Sequence, residues 1–491
     1  MALTSSLLSK HLFKVVRSLE KEGKLSLIQN TLAFPLSTGS LTLDYFYNGG
    51  ILPMMYTIAG PEQSGKSLTA TTILASAYKQ NVDGLVYFDA EETLNGDTVG
   101  NLFGTSNVSD LFSMRKEGKV EIAPRVHVFK GNSLEGVMDG VTNIVNNLPD
   151  KIYIEGEESW FFKFDKDSKE DKELLGILGL ELDAAVTKKH GADKFLLCRD
   201  PHSKPKESGI QAVIIIDSLA ILITDTEDEE GPTQQMALEA RRFAKHLKRF
   251  VGRLAKKQVV VLAINHVKQN PNAGPYKSPD YESGGNAIKF LAGVQTRVSS
   301  ISSSTAGWGG NGAVYEEESV HQEGFQDRYQ FKKFKLVKDK VGGNANKDTF
   351  LRVWMEDCFG ESRGFDPVMD TIQFLKATNQ MEEHRGRFTI TGHPALKEKS
   401  FTFKQLKKLI LATAIDDARY KMTREEFLEE FKVEALFNLR EWCFNQIKNR
   451  EVFESKTVAL TDLAKGKDGR PIIEDFDEET GEVINKRVEQ I

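Results

Sequence analysis

The chain has 491 residues, enough for two or three domains, and its 40% hydrophobic and 28% charged residues are the balance of a soluble globular protein. No apolar run approaches ~20 residues, so no membrane-spanning helix is expected. A net charge of −6 confines any nucleic-acid contact to local basic surfaces.

The first 36 residues open with Leu7, Leu8, Leu12, Val15, Val16 and Leu19 at helical spacing, with Lys10, Lys14, Arg17 and Lys21 on other faces. The pattern predicts an amphipathic helix stopping near Gly23, docked on its own core or on a neighbouring subunit. Met1–Lys10 lacks a long apolar core and a cleavage site, so no secretory signal is expected. Cys198, Cys358 and Cys443 lie far apart without metal-ligand spacing, which fits a reducing cytoplasm.

The segment Ser37–Asp44 leads through Gly49 and Gly50 into an apolar strand, Met55–Ala59. Directly after it, Gly60-Pro61-Glu62-Gln63-Ser64-Gly65-Lys66-Ser67 has the form G-x-x-x-x-G-K-[ST], and a helix-forming run follows from Leu68 to Tyr78. Strand, glycine loop and helix are the context of a phosphate-binding loop, in which backbone N–H groups and the helix N-terminus face phosphate oxygens. Lys66 would reach the β- and γ-phosphates of ATP, and Ser67 would bind Mg²⁺.

A second strand, Leu85–Phe88, ends in Asp89-Ala90-Glu91-Glu92, which makes Glu91 a candidate for aligning and activating water at a strand's carboxyl end. A third, Val213–Ile216, ends in Asp217-Ser218. Four aliphatics followed by Asp form a Walker B segment, whose carboxylate serves Mg²⁺. The two acids are too far apart in sequence for one helix and strand, so residues ~150–208 read as an insertion. A fourth strand, Val259–Ile264, ends in Asn265-His266. This alternation predicts a doubly wound, mostly parallel sheet flanked by helices.

The helical stretch Gln234–Lys257 has one apolar stripe and many basic residues on its other faces, preceded by an acidic loop, Asp225–Gly231. After the fourth strand, the polar loop Val267–Gly285 interleaves Lys268, Lys277, Tyr276 and Tyr281, a composition suited to single-stranded nucleic acid, where bases stack and phosphates pair. Residues 302–313 read as a flexible tip between strands. From ~380 the pattern turns to short helices, such as Phe403–Thr413 and Arg424–Asn449, and ends in an acid-rich tail, Ile473–Thr480.

Taken together, this order of motifs resembles the RecA family of homologous-recombination ATPases. The resemblance rests on Ser37–Asp44, Gly60–Ser67, Phe88-Asp89-Ala90-Glu91, Ile216-Asp217-Ser218, Gly284-Gly285-Asn286-Ala287-Ile288-Lys289-Phe290 and Leu336-Val337-Lys338-Asp339-Lys340. It spans roughly residues 37–378 outside the additions. It implies a RecA-like P-loop ATPase core over 37–379, with 1–36 as an N-terminal helical oligomerisation segment; residues 380–491 have no counterpart in the resemblance and read, from their change of pattern, as a smaller α-rich domain with an acidic tail.

By the same resemblance, Glu91 is the catalytic glutamate and Asn265 and His266 sense the nucleotide. Lys338 and Lys340 reach the ATP of a neighbouring subunit. The DNA-binding set comprises Lys268, Tyr276, Lys277, Gly284, Gly285, Asn286 and Lys289. His266 stands where bacterial members carry glutamine and is similar to UvsX-type phage recombinases. Thr98 stands where bacterial members carry an adenine-stacking tyrosine.

The function implied is a DNA-dependent ATPase that forms helical filaments on single-stranded DNA and exchanges strands with homologous double-stranded DNA. It would act in the cytoplasm (a host's, for a viral protein), with single-strand-binding or mediator proteins as further partners. A hexameric helicase with the same core, or a non-catalytic scaffold gated by ATP, are the alternatives.

Overall fold

Runs of aliphatic and β-branched residues form the central strands, because such side chains suit a pleated surface buried on both sides. The computed structural model describes residues 35–154, 210–223, 232–269, 280–302, 329–354, 363–412 and 423–454 apart from short breaks, with isolated strands between 157 and 199 and between 472 and 488. It divides into two compact units, Met1–Asp370 and Thr371–Ile491.

The first unit holds a ten-stranded sheet. Its strands are β1 (Met55–Gly60), β2 (Gly84–Asp89), β3 (Val126–Lys130), β4 (Ala212–Asp217), β5 (Val259–Gln269), β6 (Asp280–Glu282), β7 (Val294–Ile301), β8 (Tyr329–Asp339), β9 (Asp348–Trp354) and β10 (Gly364–Phe365). Their spatial order is β10-β9-β8-β7-β1-β5-β4-β2-β3, with β6 paired to β5. From β7 through β3 the pairing is parallel. β8, β9 and β10 continue it in antiparallel fashion.

Helices cover both faces: α1 (Leu41–Phe46), α2 (Lys66–Lys79), α3 (Leu134–Asn147), α4 (Pro232–Phe250) and α5 (Gly285–Leu291). Side chains alternate along each strand between two cores. Tyr56, Ile58, Val213, Ile215, Leu262 and Ile264 share one with Ile73 and Leu74 of α2. Met55, Ile214, Ile216, Val261 and Ala263 share the other with Met138 and Val141 of α3 and Phe243 and Leu247 of α4. Each fully buried aliphatic contributes roughly 1.5–3 kcal/mol, so these two layers dominate the stability of the unit.

The Ser37–Asp44 segment buttresses the phosphate-loop helix from its far end. Ser76 Oγ and Gln80 Nε2 of that region both donate to the Ser37 carbonyl at 2.9 Å. The Asp44 carboxylate accepts from Thr38 N at 2.7 Å, from Thr38 Oγ1 at 2.6 Å and from Ser37 Oγ. Asp370 caps α1, accepting from Ser40 Oγ at 2.7 Å and from the N–H groups of Leu41 and Thr42 at 3.0 Å.

The insertion forms an antiparallel sheet of its own, in the order Asp150–Ile154, Glu157–Lys163, Phe195–Arg199, Glu181–Leu182, apart from the ten-stranded sheet. The helical stretch expected over Gln234–Lys257 is broken. α4 ends at Phe250, a 3-10 turn spans Val251–Arg253, and a short helix covers Leu254–Lys257. Gly252 sits in the turn, where its poor helix propensity favours a break.

In the second unit, Met381–His384, Arg387–Ile390 and Ser400–Thr402 form an antiparallel sheet beside helices Phe403–Leu411, Arg424–Phe431 and Leu439–Lys448. The last two are separate where one run was expected over Arg424–Asn449, because Lys432 turns left-handed at φ 51° and Asn438 caps a new start. The acidic stretch begins in a strand, Ile472–Phe476, paired with Val483–Val488. The N-terminal helix, the Asp225–Gly231 loop and nearly all of the tip at 302–313 lie outside the described residues.

Burial pushes the Asp44 carboxyl from 3.8 up to about 7, against the hydrogen bonds of Ser37 and Thr38, which lower it. Between those values the folded chain holds a proton that the unfolded chain releases, so stability falls as pH rises from about 4 to about 7. Asp44→Asn lacks that slope. Urea unfolding at pH 5 and pH 7.5 is expected to show a larger loss for the wild type than for the variant, and equal losses would contradict this.

Candidate nucleotide site

The loop between β1 and α2 is shaped by close backbone approach. A Cβ on Gly60 would lie 2.2 Å from the Val298 carbonyl oxygen of β7, so only glycine fits there. Gly65 sits at φ 90° and starts α2 with no side-chain cap. The first N–H groups of a 14-residue helix are thus left for an outside acceptor, where an anion is favoured. Within the loop, Ser64 Oγ and Lys66 Nζ donate to the Pro61 carbonyl at 2.8 and 2.5 Å. Burial lowers the Lys66 ammonium below the usual lysine value, while Glu91, Asp217 and Glu62 pull it back up.

Strand register brings the other polar groups to the same edge. Gly60 pairs with His266, and Asp217 with Asp89, all where the parallel pairing of their strands ends. Asp217 is 1% exposed. Its Oδ2 accepts from the Tyr87 hydroxyl at 2.6 Å, and its Oδ1 is buried without a hydrogen-bond partner. Burial raises this carboxyl, with Tyr87 and Ser67 acting to lower it. An orphaned carboxylate oxygen near the Ser67 hydroxyl is a hard donor set that fits Mg²⁺, an ion that completes its shell with water and phosphate. Among the described residues no cluster of three or more His, Cys, Asp or Glu offers a protein-only metal cage.

Glu91 is positioned from β4. The N–H groups of Ala90 and Glu91 both donate to the Asp217 carbonyl, at 2.8 and 3.3 Å, and the Asp217–Ser218 peptide is cis. Glu91 Oε1 accepts from Ser218 Oγ at 2.5 Å and meets His266 Nε2 at 2.9 Å. Burial pushes the Glu91 carboxyl up, but Ser218, His266 and Lys66 outweigh it and hold the group below the usual value. Asp89 has a structural task, accepting from the N–H groups of Thr93 and Leu94 at 3.1 Å. Asn265 is fully buried, and its Oδ1 accepts from the His266 N–H at 3.0 Å.

Lys66, Ser67, Glu91, Asp217, Asn265 and His266 therefore gather at one edge. Lys338 and Lys340 do not join them. Lys338 pairs in register with Gln295, near the start of β7 and away from the loop. Its Nζ donates to the carbonyls of Lys289 and Phe290 at the end of α5. Burial lowers the Lys338 ammonium, and Lys340 adds to the shift.

Among the expected DNA contacts, Lys289 is exposed on α5, which Gly285 and Asn286 begin. Tyr276, Lys277 and Gly284 lie outside the described residues. Lys268 was expected in a loop, but β5 runs on to Gln269 and pairs with β6, Lys268 opposite Tyr281. Alternating extended residues beyond His266 are enough to propagate the ladder. On α4, Arg242 and Arg249 pair with Glu135 and Asp139 of α3, so part of that basic surface is used within the fold. Lys245 and Lys248 stay exposed.

Three site residues escape the motif reading. Ser218 stands inside the Walker B segment but owes its role to the turn that aims it at Glu91. Tyr87 holds Asp217 from the neighbouring strand, a contact that only the register supplies. Lys332 shares a face of β8 with buried Phe334 and Leu336, and that alternation was the available signal of its burial.

A family model described as the RecA N-terminal domain matches residues 202–316. The chain is 27% identical to the RecA protein of Thermus aquaticus over 52% of its own length and 67% of that protein. It is 30% identical to the RecA protein of Thermus thermophilus over 36% of the chain and 45% of that protein. With the RecA protein of Sulfurimonas denitrificans it shares 37% identity over 20% of the chain and 28% of that protein. The chain thus spans less than half the length of the latter two relatives. A mostly parallel α/β sheet with this loop and these acids at its carboxyl edge agrees with those matches, which together support membership of the RecA family.

Proposed function

We propose that the chain is a DNA-dependent ATPase that assembles as a helical filament on single-stranded DNA and promotes homologous pairing and strand exchange. The observation that carries this reading is the split of its charged groups across one sheet. The phosphate loop, Glu91 and Asp217 occupy the carboxyl edge, whereas Lys338 and Lys340 occupy the opposite side. Gln295 and Ser300, the β7 partners of Lys338 and Lys332, are about 16 Å apart at ~3.3 Å per residue. That separation supports the reading that Lys338 and Lys340 serve a neighbour's triphosphate. Phe290, 74% exposed where Lys338 reaches α5, is an apolar group suited to that subunit contact.

In this reading Lys66 and the start of α2 bind the phosphates. Ser67 and Asp217 would hold Mg²⁺, which supplies charge neutralisation on the phosphoryl oxygens. Glu91, kept ionised by Ser218, His266 and Lys66, orients water and takes its proton. A neighbour's cations meet the charge that develops on the phosphoryl oxygens, which makes turnover depend on assembly.

His266 links the site to DNA. It touches Glu91 and continues in the same strand into the β5–β6 ribbon, whose far end is the expected DNA loop. A nucleotide that draws His266 from Glu91 would shift that ribbon, and the coupling is reciprocal between DNA and ATP.

Lys66→Ala is expected to lose nucleotide binding. Glu91→Gln is expected to keep binding while turnover falls on the order of 10²–10⁴-fold. Steady-state ATPase with and without single-stranded DNA, together with nucleotide titration, checks both.

The trans arrangement has its own test. The double variant Lys338→Ala, Lys340→Ala is expected to bind ATP yet lose roughly 10³-fold or more in turnover. Mixing it with Lys66→Ala is expected to restore part of the activity, since each supplies the half-site the other lacks. No recovery across mixing ratios would argue for sites complete within one chain.

His266→Ala is expected to retain basal hydrolysis but lose stimulation by single-stranded DNA. Full stimulation in that variant would remove the proposed link.

A further inference from the structure

Lys332 lies behind the phosphate loop and is 1% exposed. Its Nζ donates to the Gln63 carbonyl at 3.0 Å, to Ser300 Oγ at 2.8 Å and to Gln330 Oε1 at 2.5 Å. The three ammonium protons thus go to neutral acceptors. Among the described residues no carboxylate pairs with it, and the charge that acts on it is the like charge of Lys66. Its stem passes beneath the loop, 3.2 Å from where a Cβ on Gly65 would stand. The Gln63 it holds is itself left-handed, at φ 57°.

A buried ammonium without an anion is costly, and a like-charged neighbour adds to that cost. An apolar side chain would fill the same space more cheaply. A cation kept here is explained by an anion that comes and goes, and the space in front of the loop already favours one.

We propose that Lys332 is a second cation of the phosphate cradle from the same chain, a positioning residue that holds Gln63 from behind and whose charge is met by bound nucleoside triphosphate. This rests on the nucleotide-binding reading above. It assigns a task to a lysine outside every motif, and it distinguishes Lys332 from Lys338 and Lys340, which serve a neighbour.

Burial lowers the Lys332 ammonium to about 8, with Lys66 pushing the same way. Facing it are Gln63 from the loop, Ser300 from β7, Gln330 from its own strand and, in register on β9, Leu351. Lys66 is the one ionisable group among the described residues that acts on it. The cation is lost as pH rises through that value, so its contribution to binding a triphosphate is present at neutral pH and fades above it.

The test uses the full chain with Lys332→Met and Lys332→Gln, titrated with a fluorescent ATP analogue between pH 7 and 9.5, with folding followed by circular dichroism. Wild-type affinity is expected to fall as pH rises. Both variants are expected to fold, to bind on the order of tenfold more weakly at pH 7, and to show a shallower pH dependence. Wild-type affinity in either variant would overturn the proposal. So would weakened binding that parallels the wild-type pH profile, which marks a packing role. Failure of both variants to fold would overturn it too, because the ammonium would then belong to the resting core. A wild type that binds no ATP analogue would instead remove the nucleotide reading beneath it.

Discussion

The close approach of Gly60 to the Val298 carbonyl fixes where β1 ends and the phosphate loop begins. β7 lies against β1 there, and β8 follows β7 into the same corner. A larger residue at position 60 would push the strands apart at the place where the helix N-terminus, Lys66 and Lys332 converge. The apolar layers on both faces keep the strands rigid enough for that contact to matter, since a packed interior transmits displacement instead of absorbing it.

The two acids at this edge differ in environment. Burial raises Asp217, whereas Ser218, His266 and Lys66 hold Glu91 down. Neighbouring carboxyls pushed in opposite directions sit in distinct electrostatic surroundings although they share one edge of the sheet. The cis Asp217–Ser218 peptide lies between them, and the Asp217 carbonyl anchors the backbone of Ala90 and Glu91. Both acids are therefore positioned through one short turn after β4.

Most of the sheet is legible in the chain because parallel strands buried on both faces read as uninterrupted aliphatic runs: Met55–Ala59, Val213–Ile216 and Val259–Ile264 each announce a strand. Loops whose chemistry requires particular residues announce themselves too, as Gly60–Ser67 does. Groups brought in by register are less visible. Tyr87 meets Asp217 only because β2 and β4 are adjacent, and Ser218 meets Glu91 only across that pair. The break at Gly252 and the extension of β5 to Gln269 turn on small local preferences that neighbours decide. The self-paired sheet of the insertion has weak alternation and no recognisable motif, so its strands could not be read in advance.

On the proposed reading, the antiparallel strand β8 explains why assembly and hydrolysis belong together. It passes the loop at Lys332 and runs on to Lys338 and Lys340, where a register shift between Gln295 and Thr296 leaves Val337 without a partner and 44% exposed. One rigid strand thus carries a cation that can serve its own loop and cations that cannot. Flexing alone does not carry the far end of a strand paired to β7 from Phe331 to Asp339 back to the loop. The far lysines can meet a triphosphate only when another subunit brings one to them, next to the exposed Phe290. A filament joint of the proposed kind would leave the ATP site incomplete in the free chain and complete it in the polymer.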